Sequence, residues 1–148
     1  MKNDTISLWG EKRYHSLDYY LKNTYHEKVY RIALNAGLSC PNRDGRLDTR
    51  GCIFCSAGGS GDFAASPTLS ITKQLETEKR ILRAKRNCNK FIAYFQAFTN
   101  TYGSVEHLRD LYMQAVNDPD VVIISIATRP DCLQPEILSL LAEINEKK

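Results

Sequence analysis

The feature that most constrains the fold is the short apolar run VVIISI at 121–126, in which Ser125 is the one polar residue. A short run that is apolar almost without a break is typical of a strand covered on both faces, as in a parallel sheet. Similar runs occur earlier, in VYRIAL at 29–34 and in KFIAYFQAF at 90–98. The sequence therefore predicts strands of one parallel sheet at these three places.

The segments between the apolar runs have the spacing of amphipathic helices. The first follows Thr68 or Ser70, either of which suits the capping position, and the second begins with Ser104 and stops before Pro119. A third opens at Pro135, which suits the first turn of a helix. The predicted apolar sides of the first two are Ile71, Leu75, Ile81 and Leu82, and Leu108, Leu111, Tyr112 and Ala115.

The order of these elements is that of an α/β fold built from parallel βα repeats. Right-handed crossovers bring the carboxyl ends of the strands to one edge of the sheet, where α/β folds bind ligands. We predict a short helix or ordered arm over 1–28 and a core domain over 29–148. Three strands make a small sheet, so we expect the front part of a larger barrel, or a chain whose exposed sheet edge a partner covers.

Composition narrows the class of protein only a little. The chain has 148 residues, enough for one domain with a hydrophobic core, and its net charge of +3 does not imply a nucleic-acid partner. The sequence has no secretory signal pattern, and no apolar run approaches the ~18 residues of a membrane span. We therefore expect a cytoplasmic protein with no membrane partner, in which five reduced cysteines serve metal or redox chemistry.

Three of the cysteines, Cys40, Cys52 and Cys55, share the Gly-rich segment LSCPNRDGRLDTRGCIFCSAGG at 38–59. Their spacing is C-x11-C-x2-C, and the odd number is informative, because a disulfide uses two thiols and a closed zinc site usually has four ligands. In a thioredoxin-type site the C-x-x-C pair opens a helix, whereas here SAGGSGDFAASP separates the pair from the next helix.

A closed zinc site would need a fourth ligand from elsewhere in the chain. Cys88 and Cys132 are isolated in the sequence and are expected to pack as small side chains, and the three histidines are scattered. Zinc stays open as an alternative, since a fourth ligand can be recruited in three dimensions. Three thiolates suit an iron-sulfur cluster better, because the missing fourth ligand leaves a coordination position for a small molecule.

The rest of the segment fits a bound cluster. Its glycines would let the backbone approach the cluster closely and donate amide hydrogens to the sulfurs. An apolar pair between the last two thiols would shield the cluster partly from water. The glycines are Gly45, Gly51, Gly58 and Gly59, followed by Gly61 just beyond the segment, and the apolar pair is Ile53 and Phe54.

The cysteine segment and its position after the first predicted strand resemble those of a known protein family. With cysteines after a first strand and the last pair written C-x-aromatic-C, the chain resembles the radical S-adenosylmethionine (SAM) superfamily. More narrowly, LNAGLSCPNRDGRLDTRGCIFCS, FQAFTNTYG and IATRPDC are similar to segments of the YhcC-like branch, which is related to the Elongator catalytic subunit. The resemblance extends from about Arg13 to the end of the chain. It implies that residues 29–148 are the first half of a partial (β/α)6 TIM-like barrel.

The resemblance also implies cofactors and an enzyme. Cys40, Cys52 and Cys55 would bind a [4Fe-4S] cluster, and the fourth iron would bind SAM. A reductant protein would supply the electron that cleaves SAM to methionine and a 5'-deoxyadenosyl radical, and this radical would abstract a hydrogen from the substrate. No catalytic residue is assigned beyond the cluster ligands.

Further residues would contact SAM if the resemblance holds. Phe54 would lie near the adenine, and Gln96 and Asn100 would stand where other members have a Gly-Gly-Glu motif that this chain lacks. At the end of the third strand, the ribose and carboxylate would meet Ser125, Thr128 and Arg129. An arginine suits the carboxylate, because its planar fork can pair with two oxygens.

A basic run at the end of the first long helix raises the question of RNA. Its cations, with no acid between them, are Lys79, Arg80, Arg83, Lys85, Arg86 and Lys90. Such a run is usually a solvated helix face, but it could contact phosphates. Because Elongator-related proteins act on wobble uridine, the resemblance suggests tRNA base modification. Two alternatives stay open, a zinc-stabilised nucleic-acid-binding module and a thiol redox protein that uses Cys52 and Cys55.

Overall fold

Three parallel strands form one sheet in the computed structural model, which describes residues 9–10 and 12–148. The strands are β1 (Val29–Leu34), β2 (Lys90–Phe95) and β3 (Val121–Ile126). They stand in the order β1-β2-β3, and each pairs in parallel with its neighbour in the sequence. The predicted parallel sheet is therefore confirmed.

β2 is shorter than the sequence predicts. It ends at Phe95 instead of residue 98, because Phe98 has a φ of 62° and its backbone cannot continue an extended strand. The Phe98 N–H instead donates to the Gly59 carbonyl at 2.9 Å. The chain thus leaves the sheet to meet the cysteine loop, the name used here for residues 35–70 between β1 and the next helix.

Four helices accompany the sheet, and a 3-10 turn at Pro130–Cys132 precedes the last of them. They are α1 (Leu17–Tyr25), α2 (Ile71–Lys85), α3 (Val105–Val116) and α4 (Pro135–Asn145). The fold is mixed α/β, as the pattern of apolar runs predicts.

Serine side chains cap three of the helices. Ser16, Ser70 and Ser104 each accept a hydrogen bond from an N–H in the first turn that follows. Ser70 therefore caps α2, and Thr68 does not. Pro135 stands in the first turn of α4, as predicted, where its missing N–H leaves no bond unmade.

α2, α3 and α4 pack on the same face of the sheet and form the main core with it. Among the side chains they contribute, Leu75, Tyr112 and Leu140 are almost completely buried against the strands. Tyr112 packs edge to face on Phe95, with ring centroids 5.2 Å apart. Crossover helices on one side of a parallel sheet keep the carboxyl ends of the strands at one edge.

The opposite face of the sheet, which we call the open face, is covered less. α1 packs on it through a small cluster in which Leu21 contacts Val29 and Ile92. Because side chains alternate along a strand, Arg31 and Tyr94 belong to the same face, nearer the carboxyl ends. Of the helices that the structure describes, α1 alone contributes to the buried cluster on this face.

The inner side of α2 differs in part from the prediction. Ile71 and Leu75 are buried as expected, but Ile81 is 41% exposed and its assignment to that side was wrong. Gln74 and Lys79 are buried instead. Both are polar, and each is buried because it bonds to groups contributed by other segments.

Residues 1–8 and Glu11 of the predicted arm lie outside the described residues. Within the rest of that segment, the structure contains the helix α1. No helix in the described part of the chain combines the length and apolar character that crossing a membrane requires.

Candidate cluster and cofactor site

The cysteine loop is held at both of its ends by one buried side chain. The Gln74 amide nitrogen donates to the carbonyls of Asn35 and Leu69, each at 2.8 Å, and its oxygen accepts the Asn35 N–H at 2.9 Å. Gln74 is 0% exposed, so these bonds are shielded from water. The first residue of the loop and its last residue but one are therefore fixed to the first turn of α2.

The three thiols of the loop line one pocket at the carboxyl edge of the sheet. The pocket has a volume of about 300 Å³ and is completed by residues after β2 and β3. From the loop it includes Cys40, Asn42, Arg43, Cys52, Phe54, Cys55 and Ser60, and from the strand ends Tyr94, Gln96, Phe98, Thr99, Ala127, Thr128 and Arg129. The fold thus brings the loop and the strand ends together at the edge where the sequence predicts a site.

Each thiol has a nearby hydrogen-bond donor. The Asn42 side-chain amide donates to the Cys52 sulfur at 3.1 Å, and the Ser60 hydroxyl donates to the Cys55 sulfur at 3.7 Å. Burial raises the pKa of the Cys40 thiol, but hydrogen bonds from the Thr99 side chain, the Asn42 backbone and the Arg129 side chain outweigh it. The pKa of Cys40 is therefore lowered, which favours its thiolate.

Arg129 is held in place by an acid two residues away. Its Nε and Nη2 donate to the two carboxylate oxygens of Asp131 at 2.9 and 2.8 Å. This contact, and to a lesser degree the Cys40 thiolate, raises the pKa of Arg129, while the same pair lowers the pKa of Asp131. The guanidinium therefore lines the pocket with two of its nitrogens already bonded to Asp131.

Arg43 organises the segment that carries Cys52 and Cys55. Its guanidinium donates to the carbonyls of Cys55 at 3.1 Å and of Ala57 at 3.4 Å, and lies 5.7 Å from the centre of the Phe98 ring. Gly51 allows this arrangement, because a Cβ there would stand 2.8 Å from the Arg43 Nε. One arginine thus connects the turn around the last two thiols to the segment after β2.

The loop also docks directly on the end of β2. The Gln96 side chain donates to the Ser60 carbonyl at 2.6 Å, next to the contact between Phe98 N–H and Gly59. A Cβ on Gly59 would lie 2.5 Å from the Phe98 ring, and one on Gly61 would lie 2.5 Å from the Ala97 Cβ. These two glycines are therefore needed for the close approach of loop and strand end, which the sequence alone does not reveal.

The structure places only some of the residues expected to contact SAM in the pocket of the thiols. Phe54, Gln96, Thr128 and Arg129 line the pocket with the thiols, but Asn100 and Ser125 do not. Phe54 is 83% exposed and Ile53 is fully exposed, so this arrangement of the loop does not place them over the thiols as a shield. Ser125 lies within β3, opposite Tyr94 of β2.

Asn100 has a structural position beneath the pocket. It is 0% exposed, and its amide nitrogen lies 3.0–3.2 Å from the carbonyls of Phe95, Ala97 and Ala127. These bonds join the ends of β2 and β3. Its Oδ1 is the one buried side-chain oxygen or nitrogen within the described residues that has no hydrogen-bond partner.

Several site residues were missed from the sequence. Asn42, Ser60 and Thr99 are ordinary polar residues: the first two donate to a sulfur, and Thr99 lowers the pKa of Cys40, because of where the loop folds. Asn42 and Ser60 lie within five residues of a thiol, so nearness along the chain was an available signal. Thr99 could be located only by knowing which strand end faces Cys40.

The other two cysteines do not line the pocket. Cys88 is 2% exposed and Cys132 is 8% exposed, as expected of small packed side chains. Burial and the Asp131 carboxylate raise the pKa of Cys132. Among the described residues, no three or more His, Cys, Asp or Glu side chains are arranged to hold a metal ion.

The basic run lies at the other edge of the sheet. α2 ends at Lys85 and β2 begins at Lys90, so the run stands at the amino ends of the strands, opposite the pocket. Lys79 is 9% exposed and contacts Asp118 at 2.7 Å and Asp120 at 2.9 Å. Its assignment to a solvated face was therefore wrong, because two carboxylates draw it into the protein.

Two more cations of the run are also paired. Arg83 contacts Asp120 at 2.9 Å, and Lys90 contacts Glu27 at 3.3 Å. Across residues 9–10 and 12–148, Arg80, Lys85 and Arg86 form no ion pair. These three are the members of the run that could meet a phosphate without first breaking a pair.

The chain is similar to curated bacterial and archaeal proteins. Uncharacterized protein YtqA of Bacillus subtilis is 50% identical over 137 residues, which are 93% of this chain and 42% of YtqA. Protein YhcC of Escherichia coli K12 is 40% identical over 128 residues, 86% of this chain and 40% of YhcC. Uncharacterized protein MJ0486 of Methanocaldococcus jannaschii is 35% identical over 133 residues, 86% of this chain and 38% of that protein.

The chain spans about two fifths of the length of these relatives. No family model and no solved structure matches it.

Proposed function

We propose that this chain is part of a radical SAM enzyme of the YhcC-like branch, in which Cys40, Cys52 and Cys55 bind a [4Fe-4S] cluster. The observation that carries the proposal is the meeting of these thiols in one pocket, where each has a donor beside its sulfur. Thiolates are the usual ligands of such clusters, and donors to sulfur tune and support them.

The donor set fits this cofactor. Three thiolates leave one iron of a four-iron cluster without a protein ligand, which is the position that SAM would take. When bound and reduced, such a cluster would supply the electron that breaks the sulfonium bond of SAM. The chain's own part is to hold the thiolates at a fixed edge of the sheet and to orient the bound SAM.

Four pocket residues have chemistry that suits SAM. Phe54 offers an aromatic face for the adenine, and the Gln96 amide and Thr128 hydroxyl offer hydrogen bonds to polar groups. Arg129 suits the carboxylate, which would share the guanidinium with Asp131. Asn100 and Ser125 are left out of this set, because they do not line the pocket.

The sheet supports the finer fold proposal. We propose that β1 to β3 and their helices are the first three units of a partial (β/α)6 barrel. In a barrel all crossover helices stand outside the sheet, and α2, α3 and α4 here pack on one face. The open face would then be the interior, where substrate approaches SAM.

For the substrate we propose a nucleoside in tRNA, by analogy with the Elongator-related proteins. The basic run is separated from the pocket by the length of the strands, so it would contact a part of the RNA distant from the modified base. Arg80, Lys85 and Arg86 are the cations that would do so.

Anaerobic reconstitution with iron and sulfide tests the cluster. We expect about four irons and four sulfides per chain, loss of both in C40A, C52A and C55A, and full loading in C88A. Cys88 is a matched control because it is a buried thiol away from the pocket. One tightly bound zinc without sulfide would support the zinc module instead, and a colourless protein that cycles between dithiol and disulfide at Cys52 and Cys55 would support the redox protein.

Cleavage of SAM is the second measurement. With dithionite as reductant, the loaded protein is expected to release 5'-deoxyadenosine and methionine in equal amounts. If the 148-residue chain binds the cluster but releases neither product, the same assay on the longer relative YtqA decides whether cleavage needs the additional length of that protein.

A further inference from the structure

An arginine stands in the middle of a strand on the open face. Arg31 is the third residue of β1, between Tyr30 and Ile32, which pack on the helix-covered face. It is exposed, whereas Ile32 is 2% exposed. Because side chains alternate along a strand, Arg31 points away from the helix-covered core and stands on the open face.

Among the described residues, the guanidinium of Arg31 contacts an aromatic ring and pairs with no acid. It lies 4.9 Å from the centre of the Tyr94 ring, on the neighbouring strand. Within residues 9–10 and 12–148 Arg31 forms no ion pair, although Arg83, Arg109 and Arg129 each pair with a carboxylate. Its charge is therefore oriented but not neutralised by the described part of the chain.

Tyr94 connects this arginine to the pocket of the thiols. Its side chain lines that pocket, and its neighbours in the sheet are Ala33 on β1 and Ser125 on β3. Because both neighbours have small side chains, no bulky group stands beside the Tyr94 ring in this row of the sheet. A molecule that entered from the pocket along the open face would meet the Tyr94 ring and then the Arg31 guanidinium.

We propose that Arg31, oriented by Tyr94, binds an anionic group of the substrate, a phosphate or a carboxylate. The inference rests on the proposed function, since it places the substrate on the open face beside the bound SAM. A guanidinium that contacts an aromatic ring can still present its N–H groups to a ligand, and two of these groups match two oxygens of an anion. Arg31 is thus a specificity-determining residue for an acidic substrate.

The test measures anion binding by the protein without its cluster, so it does not depend on cofactor loading. Inorganic phosphate, acetate, uridine and uridine 5'-monophosphate are titrated while the arginine Nε–Hε NMR signals and the binding constants are followed. We expect an anion to shift the Arg31 signal, R31Q to weaken its binding about tenfold, and R31K to fall between. A response to phosphate and uridine 5'-monophosphate identifies a phosphate group, and a response to acetate alone identifies a carboxylate.

R13Q is the matched control, because Arg13 is an exposed arginine without an ion pair among the described residues and stands before α1. It should leave anion binding unchanged. Equal weakening by R31Q and R13Q, or no response of the Arg31 signal to any of the anions, would overturn the inference. Iron and sulfide content of R31Q after reconstitution separates the two proposals: failure of wild-type loading rejects the cluster and not the anion site.

Discussion

The Gln74 side chain bonds to both the N–H and the carbonyl of Asn35, the first residue after β1. It thus forms the two backbone bonds that a neighbouring strand would otherwise form there. We predict that Q74L lowers the free energy of unfolding by about 2–4 kcal/mol, because it removes the buried amide that bonds to the backbone of Asn35 and Leu69. Urea unfolding measures this. Q134L is the control, since Gln134 is exposed and its side chain makes no capping bond, and it should cost less than about 0.5 kcal/mol.

A second prediction concerns Asn100, which joins the ends of β2 and β3. N100A removes the donor to three carbonyls and should lower the free energy of unfolding by about 2–4 kcal/mol. N100D should be at least as harmful, because a carboxylate would face those carbonyl oxygens. N117A, at an exposed residue after α3, is the comparison; a similar loss in N117A would contradict a special role for Asn100.

The third prediction compares the effect of alanine at two glycines, Gly59 and Gly103. G59A should destabilise the protein by about 1–3 kcal/mol, because Gly59 has a φ of 62° and a Cβ would overlap the Phe98 ring. G103A should be tolerated, since its Cβ would meet nothing closer than 3.5 Å. Thermal unfolding of both variants is the measurement. Iron loading should also fall in G59A, because the loop segment with Cys55 would shift; equal behaviour of the two variants would contradict the docking described above.

The fourth prediction is a pH dependence at the buried lysine. The hydrogen bond from Lys79 lowers the pKa of Asp120, burial opposes it, and Arg83 adds to the lowering, with Asp118 on the other side of the lysine. A carboxyl whose pKa is lower in the folded state stabilises the fold above its unfolded pKa of about 3.9, and this contribution disappears as the pH falls through the folded value.

Stability of wild type and D120N, measured by urea unfolding between pH 7 and pH 2, checks this dependence. D120N should be less stable than wild type at pH 7 and should lose less on acidification. If the two curves run parallel down to pH 2, Asp120 is not responsible for the acid sensitivity.

The sequence predicts the sheet, the helices and the capping serines because those depend on short-range patterns, as at Ser70 and Ser104. It also selects the thiols, since their spacing is local. It fails where a polar residue is buried through a distant partner. Lys79 meets Asp118, 39 residues away, and the Gln74 amide reaches Asn35 over the same separation, so neither pairing leaves a periodic signal in the chain.

Long-range contacts also explain why the sequence assigned Asn100 to the site and missed Thr99. Asn100 and Thr99 are adjacent in the chain, yet one is fully enclosed beneath the strand ends and the other faces a thiol. The turn imposed by the positive φ of Phe98 decides which of them faces the pocket. A sequence pattern does not contain this information, because it depends on how the glycines of the loop meet the end of β2.

The attachment of both loop ends to Gln74 also has an entropic consequence. Closing a flexible loop of this length costs roughly 3 kcal/mol, and here that cost falls on folding of the sheet and α2, before any ligand arrives. A ligand of the thiols therefore meets a loop whose ends are already fixed, with Ile53 and Phe54 exposed at its tip. The loop is thus arranged to bind a ligand before the ligand arrives. Its affinity is expected to depend on the stability of α2, a helix that contributes no ligand itself.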